Sequence, residues 1–200
     1  MVTVTGRLPL KERKRQQTST RIVEAAVALF TERGFDATTA DDIAEVAECS
    51  RSTLFRYFGN KEDILFGDVY VLLAEVREEL SRAHPCPDPW RTAKDIGIGR
   101  FVQYMTGEGA IPRSCIALWF SHPALRSRYL DINHQWEGVL AEFFAVERGA
   151  DPSTDLDSQV RAGVAVAAVR SVLMAYAVPG TDVQTAVAEA FALVEGGLGD

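Results

Sequence analysis

Residues 39 to 58, TADDIAEVAECSRSTLFRYF, read as a helix, a tight turn and a second helix, and they restrict the fold more than any other stretch. Thr39 suits an N-cap because its hydroxyl accepts from an orphan amide, and Asp41 and Asp42 fall in a first turn whose dipole favours carboxylates. Ile43, Val46 and Ala47 recur at three- and four-residue spacing, so a short apolar stripe forms while Asp42, Glu45 and Glu48 fall largely off it. About two turns of helix cannot stand alone, so packing must hold it. Ser50 caps the next helix, on which Leu54 and Phe58 lie four apart and point inward together. Its other face carries Arg51, Ser52, Thr53, Phe55 and Tyr57. Guanidinium groups pair with guanine edges, and hydroxyls and rings meet phosphates and thymine methyls, so this face fits a DNA major groove.

The pattern also fits a solvated amphipathic hairpin, and the flanks weigh against that. Ile22, Ala25, Ala26, Leu29 and Phe30 form a preceding helix stopped by Gly34, and Asn60-Lys61 opens a following one. The segments RIVEAAVALFTERGFDATTADDIAEVA, SRSTLFRYF and NKEDIL together resemble the DNA-binding domain of the TetR family of bacterial repressors, over Arg21 to Leu65. Two positions depart from the family pattern. Glu48 stands where Gly is usual in the turn, and Cys49 replaces a small aliphatic residue. If the turn needs a positive φ, Glu48 costs about 1 kcal/mol relative to Gly. The expected DNA-facing set is Arg21, Thr39, Ser50, Arg51, Ser52, Thr53, Phe55, Arg56, Tyr57 and Lys61, the last at a helix start where free amides also favour phosphate.

A net charge of −7 argues against DNA as a partner, but its distribution is uneven. Residues 1 to 61 hold 10 Lys/Arg against 8 Asp/Glu, whereas residues 62 to 200 hold 11 against 20. Phosphates are therefore expected at one end, with the acidic remainder repelled. Arg7 to Arg21 is the most basic segment. Residues 1 to 17 read as a flexible basic arm that tracks the DNA backbone, residues 18 to 61 as the helix-turn-helix domain, and residues 62 to 200 as a ligand-binding and dimerisation domain. Cys49, Cys86 and Cys115 are widely spaced without a CxxC, so neither a disulfide framework nor a zinc site is indicated and no cofactor or metal is expected. No signal peptide is read, and Ala162 to Val178, the longest apolar stretch, is interrupted by Arg170 and too short to span a membrane. A cytoplasmic location follows as an expectation.

The fold expected is all-α. A fourth helix is predicted from Asn60 to about Arg82 as a continuous rigid link, followed by a proline-rich linker, His84 to Pro89. Further helices are expected over Trp90 to Met105, Ser114 to Phe120 and from Pro123 to about Gly149, then two Ala- and Val-rich ones over Thr154 to Val178 and Thr181 to Gly196. The last two are apolar on more than one face and so need cover on both sides. Pairing them with a second copy gives a four-helix interface, the arrangement that the resemblance also implies. Two heads about 34 Å apart would read a near-palindrome.

Phe101, Tyr104, Met105, Trp119, Phe120, Trp136 and Met174 are the expected lining of an apolar cavity, and Arg170, inside an apolar helix, needs either an internal carboxylate or an anionic ligand there. Arg113, Arg126 and Arg128 are further candidates for a phosphate-bearing ligand. The segment continuing through ALWFSHPALRSRYL also resembles the mycofactocin-system subgroup of TetR-type regulators, which implies an acyl-CoA-like ligand. The resulting expectation is a ligand-responsive regulator, a homodimeric repressor released from its operator by a small apolar or amphipathic inducer. The alternatives are a helical metabolite-binding protein or enzyme with an incidental helix-turn-helix, or a DNA-binding dimer without a ligand. The chain has no HExxH, GxSxG or P-loop motif to favour an enzyme.

Overall fold

A computed structural model describes residues 10–67, 69–107 and 112–197. These fall into two compact units, one ending at Gly67 and the other beginning at Asp68. Among the described residues there are helices and turns but no strands, in keeping with the all-α expectation.

In the N-terminal unit, α1 spans Leu10–Arg33, α2 Ala40–Val46 and α3 Arg51–Tyr57, followed by a 3-10 turn, Glu62–Leu65. Ile22, Ala26, Leu29 and Phe30 of α1, Ile43 and Ala44 of α2, Leu54 of α3 and Ile64, Leu65 and Phe66 are all buried, with α1 packed on α2 and on the 3-10 turn, and α2 on α3. The stop after α1 is Gly34, with φ 84 and its amide donating to the Phe30 carbonyl. Gly67 closes the unit. A Cβ there would stand 3.0 Å from the Phe58 ring, so any side chain at this position requires the ring to shift by a few tenths of an ångström.

Two expectations need correction. The helix begins at Leu10 rather than at Thr18, so residues 10–17 extend α1 instead of forming a flexible arm. After Pro9 the sequence LKERKRQQ consists of good helix formers without a breaker. Residues 1–9 of the expected arm lie outside the described residues. The predicted continuous fourth helix is interrupted as well. A 3-10 turn belongs to the first unit, with Ile64 and Leu65 buried there, and the long helix starts only at Val69.

In the C-terminal unit, α4 is Val69–Arg82, α5 Pro89–Thr106, α6 Arg113–Ser121, α7 Pro123–Val146, α8 Leu156–Tyr176 and α9 Val183–Gly196. Its core joins Leu73, Val76 and Leu80 of α4, Ala93 of α5, Val139, Phe143 and Phe144 of α7, and Ala162 and Val166 of α8. The Trp90 ring stacks on Phe144 at 6.2 Å, and Trp136 packs against the same cluster. Among the described residues, no helix is long and apolar enough to cross a membrane.

Asp155 and Asp182 cap α8 and α9. Each carboxyl is held below the ordinary aspartate value of 3.8, Asp155 by the Ser158 hydroxyl and then its amide, Asp182 by the Thr185 amide and then its hydroxyl. A depressed folded pKa contributes stability that is complete above the unfolded value and is lost as pH falls through the folded one. Thermal midpoints measured across pH should therefore be level from about pH 7 to about pH 5 and fall below about pH 4. Asp182→Asn, which keeps a capping oxygen without the charge, should flatten part of that acid limb. An unaltered limb would mean that the cap does not sense pH.

Candidate nucleic-acid interface

The reading surface is set by two helix caps. At Thr39 the backbone amide donates to Asp42 Oδ2 at 2.8 Å and the Asp42 amide donates to Thr39 Oγ1 at 3.2 Å, a reciprocal capping box. The same hydroxyl and carboxylate meet at 2.6 Å, and the Thr39 hydroxyl, followed by its amide, holds the Asp42 carboxyl below its ordinary range. At Ser50 the hydroxyl accepts from the Thr53 amide at 3.1 Å and lies 2.9 Å from the hydroxyls of both Ser52 and Thr53. Leu54 and Phe58 are buried, so the register of α3 is fixed and its remaining face points outward.

The turn between the caps takes a conformation that most side chains avoid. Glu48 has φ 51, the Glu48 amide donates to the Glu45 carbonyl, and the Cys49 amide returns to Ala44 at 2.9 Å. The Glu48 carboxylate lies 3.6 Å from the Arg21 guanidinium, both largely exposed, so the pair offsets little. Glu48→Gly is expected to raise the unfolding free energy of this unit by about 0.5–1 kcal/mol, the left-handed penalty less the added entropy of the unfolded chain. A denaturant titration reads the change. A lower midpoint would show that the Arg21 pair outweighs the backbone.

On the outer face Arg51, Ser52, Phe55 and Arg56 are exposed, and Thr53 and Tyr57 are half-buried. Arg51 Nη1 donates to Asp41 Oδ2 at 2.7 Å while its guanidinium lies 5.4 Å from the Phe55 ring centre. Arg56 sits 5.7 Å from the Tyr57 ring. Asp41 is a site residue that the sequence does not single out. Its carboxylate occupies Arg51 across the turn, ten positions upstream, and must yield that guanidinium to any base or phosphate. Lys61 is also engaged. Its ammonium donates to the carbonyls of Phe35 at 2.8 Å and Thr38 at 3.0 Å and lies 4.0 Å from the Phe35 ring, which ties the end of the motif to the α1–α2 loop.

The expected ligand residues differ in exposure. Phe101, Met105 and Trp119 are buried, Trp119 stacks on Tyr129 at 6.1 Å, and Phe120 meets that ring edge-on at 5.0 Å. Tyr104 and Trp136 are half-buried. Arg170 and Met174 lie on the exposed side of α8, so the reading of Arg170 as a charge enclosed by an apolar helix does not hold. The helix is apolar on two faces, but only one of them packs within the chain. Arg113 likewise meets backbone rather than open space, donating to the carbonyls of Tyr176, Val178 and Thr181. A groove of about 320 Å³ runs between α5 and α9, lined by Lys94, Ile98, Gly99, Val187, Phe191 and Glu195 among others, and by none of the eight expected residues. Burial pushes the Cys115 thiol up to about 12, so it is inert.

Comparison with known proteins bears on both units. Residues 22–67 match the model for bacterial regulatory proteins of the tetR family, and residues 88–199 match that for the MftR C-terminal domain. A Mycobacterium tuberculosis protein assigned as the mycofactocin biosynthesis transcriptional regulator MftR is 30% identical over 190 residues, covering 93% of each chain. The transcriptional regulator TcmR of Streptomyces glaucescens is 26% identical, over 82% of this chain and 73% of its own length. Among solved structures, Thermus thermophilus FadR, described as a transcriptional repressor in complex with lauroyl-CoA, superposes with a TM-score of 0.55 at 23% identity. That match covers 91% of this chain and 95% of the other.

Proposed function

We propose that this chain, which belongs to the TetR family of bacterial transcriptional regulators, is a repressor that binds a near-palindromic operator as a homodimer and leaves it when a small amphipathic ligand binds the C-terminal unit. Its relatives are transcriptional regulators, which is also what the sequence leads one to expect. The observation that carries the reading is the outward face of α3. Arginines and hydroxyls on a capped, core-anchored helix form a surface suited to base edges and phosphates. Arg21, Thr39, Ser50, Arg51, Ser52, Thr53, Phe55, Arg56, Tyr57 and Lys61 are its assigned contacts.

Dimerisation is supported by a stripe on α8. Val160 and Ala167 are exposed, as are Val178 just beyond the helix and Leu193 on α9. Apolar residues at helical spacing on an uncovered face bury readily against a second copy. An acyl-CoA-like ligand agrees with the lauroyl-CoA held by Thermus thermophilus FadR and with the match to the MftR C-terminal domain. For its apolar part we assign the aromatic and thioether side chains Phe101, Tyr104, Met105, Trp119, Phe120 and Trp136, with Met174 and Arg170 nearer solvent.

Selection of bound duplexes from a random pool, followed by titration at two salt concentrations, tests the reading. An enriched near-palindrome with a steep salt slope is the expected result. Equal weak binding to all duplexes would remove the assignment of α3. Lauroyl-CoA should then lower affinity for the selected operator. An unchanged affinity would leave a DNA-binding dimer with a different ligand class or none.

A further inference from the structure

Three side chains with metal-ligating atoms converge in the C-terminal unit, and none of them belongs to the helix-turn-helix domain. His84 and Cys86 lie two residues apart in the α4–α5 connection, and Glu147 caps the C-terminal end of α7. The ligand atoms that they offer all lie within 4.8 Å of one another. His84 Nδ1 stands 2.7 Å from Glu147 Oε1, and the Cys86 amide donates to that same oxygen at 2.9 Å. The His84 ring is held 4.4 Å from the Phe143 ring, its side chain is only 16% exposed, and its Nε2 is buried without a hydrogen-bond partner.

A loop lock needs only the carboxylate and an amide. It does not need an imidazole and a thiol gathered on the same carboxylate, as His84 and Cys86 are on Glu147. Imidazole nitrogen, thiolate sulfur and carboxylate oxygen are instead the donor set of a borderline-soft divalent ion. Bond lengths of about 2.0–2.3 Å in a tetrahedral site place ligand atoms roughly 3.5 Å apart, so this cluster needs side-chain adjustments of about an ångström to close.

We propose that His84, Cys86 and Glu147 bind one zinc-class divalent cation per chain, with a water in the fourth position, and that the ion fastens the proline-rich α4–α5 connection to the end of α7. On binding, the Cys86 thiol gives up its proton to solvent and forms a metal–sulfur bond, with no change of oxidation state. The site is not legible in the sequence because His84 and Cys86 form no motif without Glu147, which is 61 positions further along the chain.

The test uses the full chain, with Zn2+ titrated against a chromophoric chelator and Co2+ as the spectroscopic probe. Expected are one ion per chain and a near-ultraviolet thiolate-to-cobalt band. Both should survive Cys49→Ser, whereas Cys86→Ser should abolish the band and weaken Zn2+ binding by more than about 100-fold, beyond the range seen when an outer-shell partner is lost. Glu147→Gln, whose shape is nearly unchanged, should weaken Zn2+ while leaving helical circular dichroism intact, which separates loss of a ligand from loss of fold. No cobalt band in the parent protein would overturn the site, as would a band that persists in Cys86→Ser or disappears in Cys49→Ser.

Discussion

Arg51→Ala is expected to weaken operator binding by about 1–3 kcal/mol per head, hence about 2–6 kcal/mol for a symmetric dimer, or roughly 30- to 20,000-fold. The residue is exposed at the first position of α3 and makes no core contact, so its removal should leave the unfolding midpoint within about 0.5 kcal/mol of the parent. Competition between the selected operator and a scrambled duplex at fixed salt separates the two effects. Unchanged discrimination would sink the assignment of α3 as the reading helix. The Asp41 carboxylate gives the complementary case. It pairs with Arg51 in the free protein at 2.7 Å, so Asp41→Asn should tighten binding a few-fold through loss of a competitor and of a like charge near phosphate.

The second large effect is one of stability. Arg113 offers its guanidinium to three carbonyls, Tyr176 at 2.8 Å, Val178 at 3.0 Å and Thr181 at 2.6 Å, and lies 3.9 Å from the Tyr176 ring. Tyr176 ends α8, where carbonyls lack partners within the helix and form the negative end of its dipole, and Val178 and Thr181 lie in the connection to α9, so one cation serves a helix end and a loop together. Arg113→Ala should destabilise the C-terminal unit by about 2–4 kcal/mol, because charged hydrogen bonds and a ring contact are lost and the carbonyls are left partly unpaired. That corresponds to a thermal midpoint lower by roughly 5–15 °C. Lysine, a point donor without the planar fork, should recover less than half of the loss. An alanine variant that melts with the parent would show that solvent serves those carbonyls equally well.

Arg113 also shows what the sequence conceals. An arginine at the start of a short helix could equally meet an anionic ligand or distant backbone, and its partners lie 63 to 68 positions downstream. Arg170 departs from expectation for a related reason. Residue pattern reveals that α8 is apolar on two faces, but not which face a neighbour covers. The DNA-facing motif is more legible because its determinants are local. Thr39 with Asp42 and Ser50 with Thr53 are three residues apart, and Leu54 with Phe58 are four apart, all within the reach of helix geometry. The φ of 51 at Glu48 follows conditionally, from a turn that usually carries glycine. The break before Val69 does not follow, because Ile64, Leu65, Val69 and Leu72 keep a helical spacing straight through it.

The shortness of α3 has its own consequence. In this helix of seven residues the amides of Arg51, Ser52 and Thr53 precede the first backbone bond, from Leu54 to the Ser50 carbonyl, and the Ser50 hydroxyl serves Thr53. Its amide protons are therefore shielded from solvent exchange only while Leu54 and Phe58 remain seated, and they should exchange when the whole N-terminal unit opens rather than by separate fraying. The entropy of ordering this surface is spent when the unit folds, so a duplex meets a face that is already set.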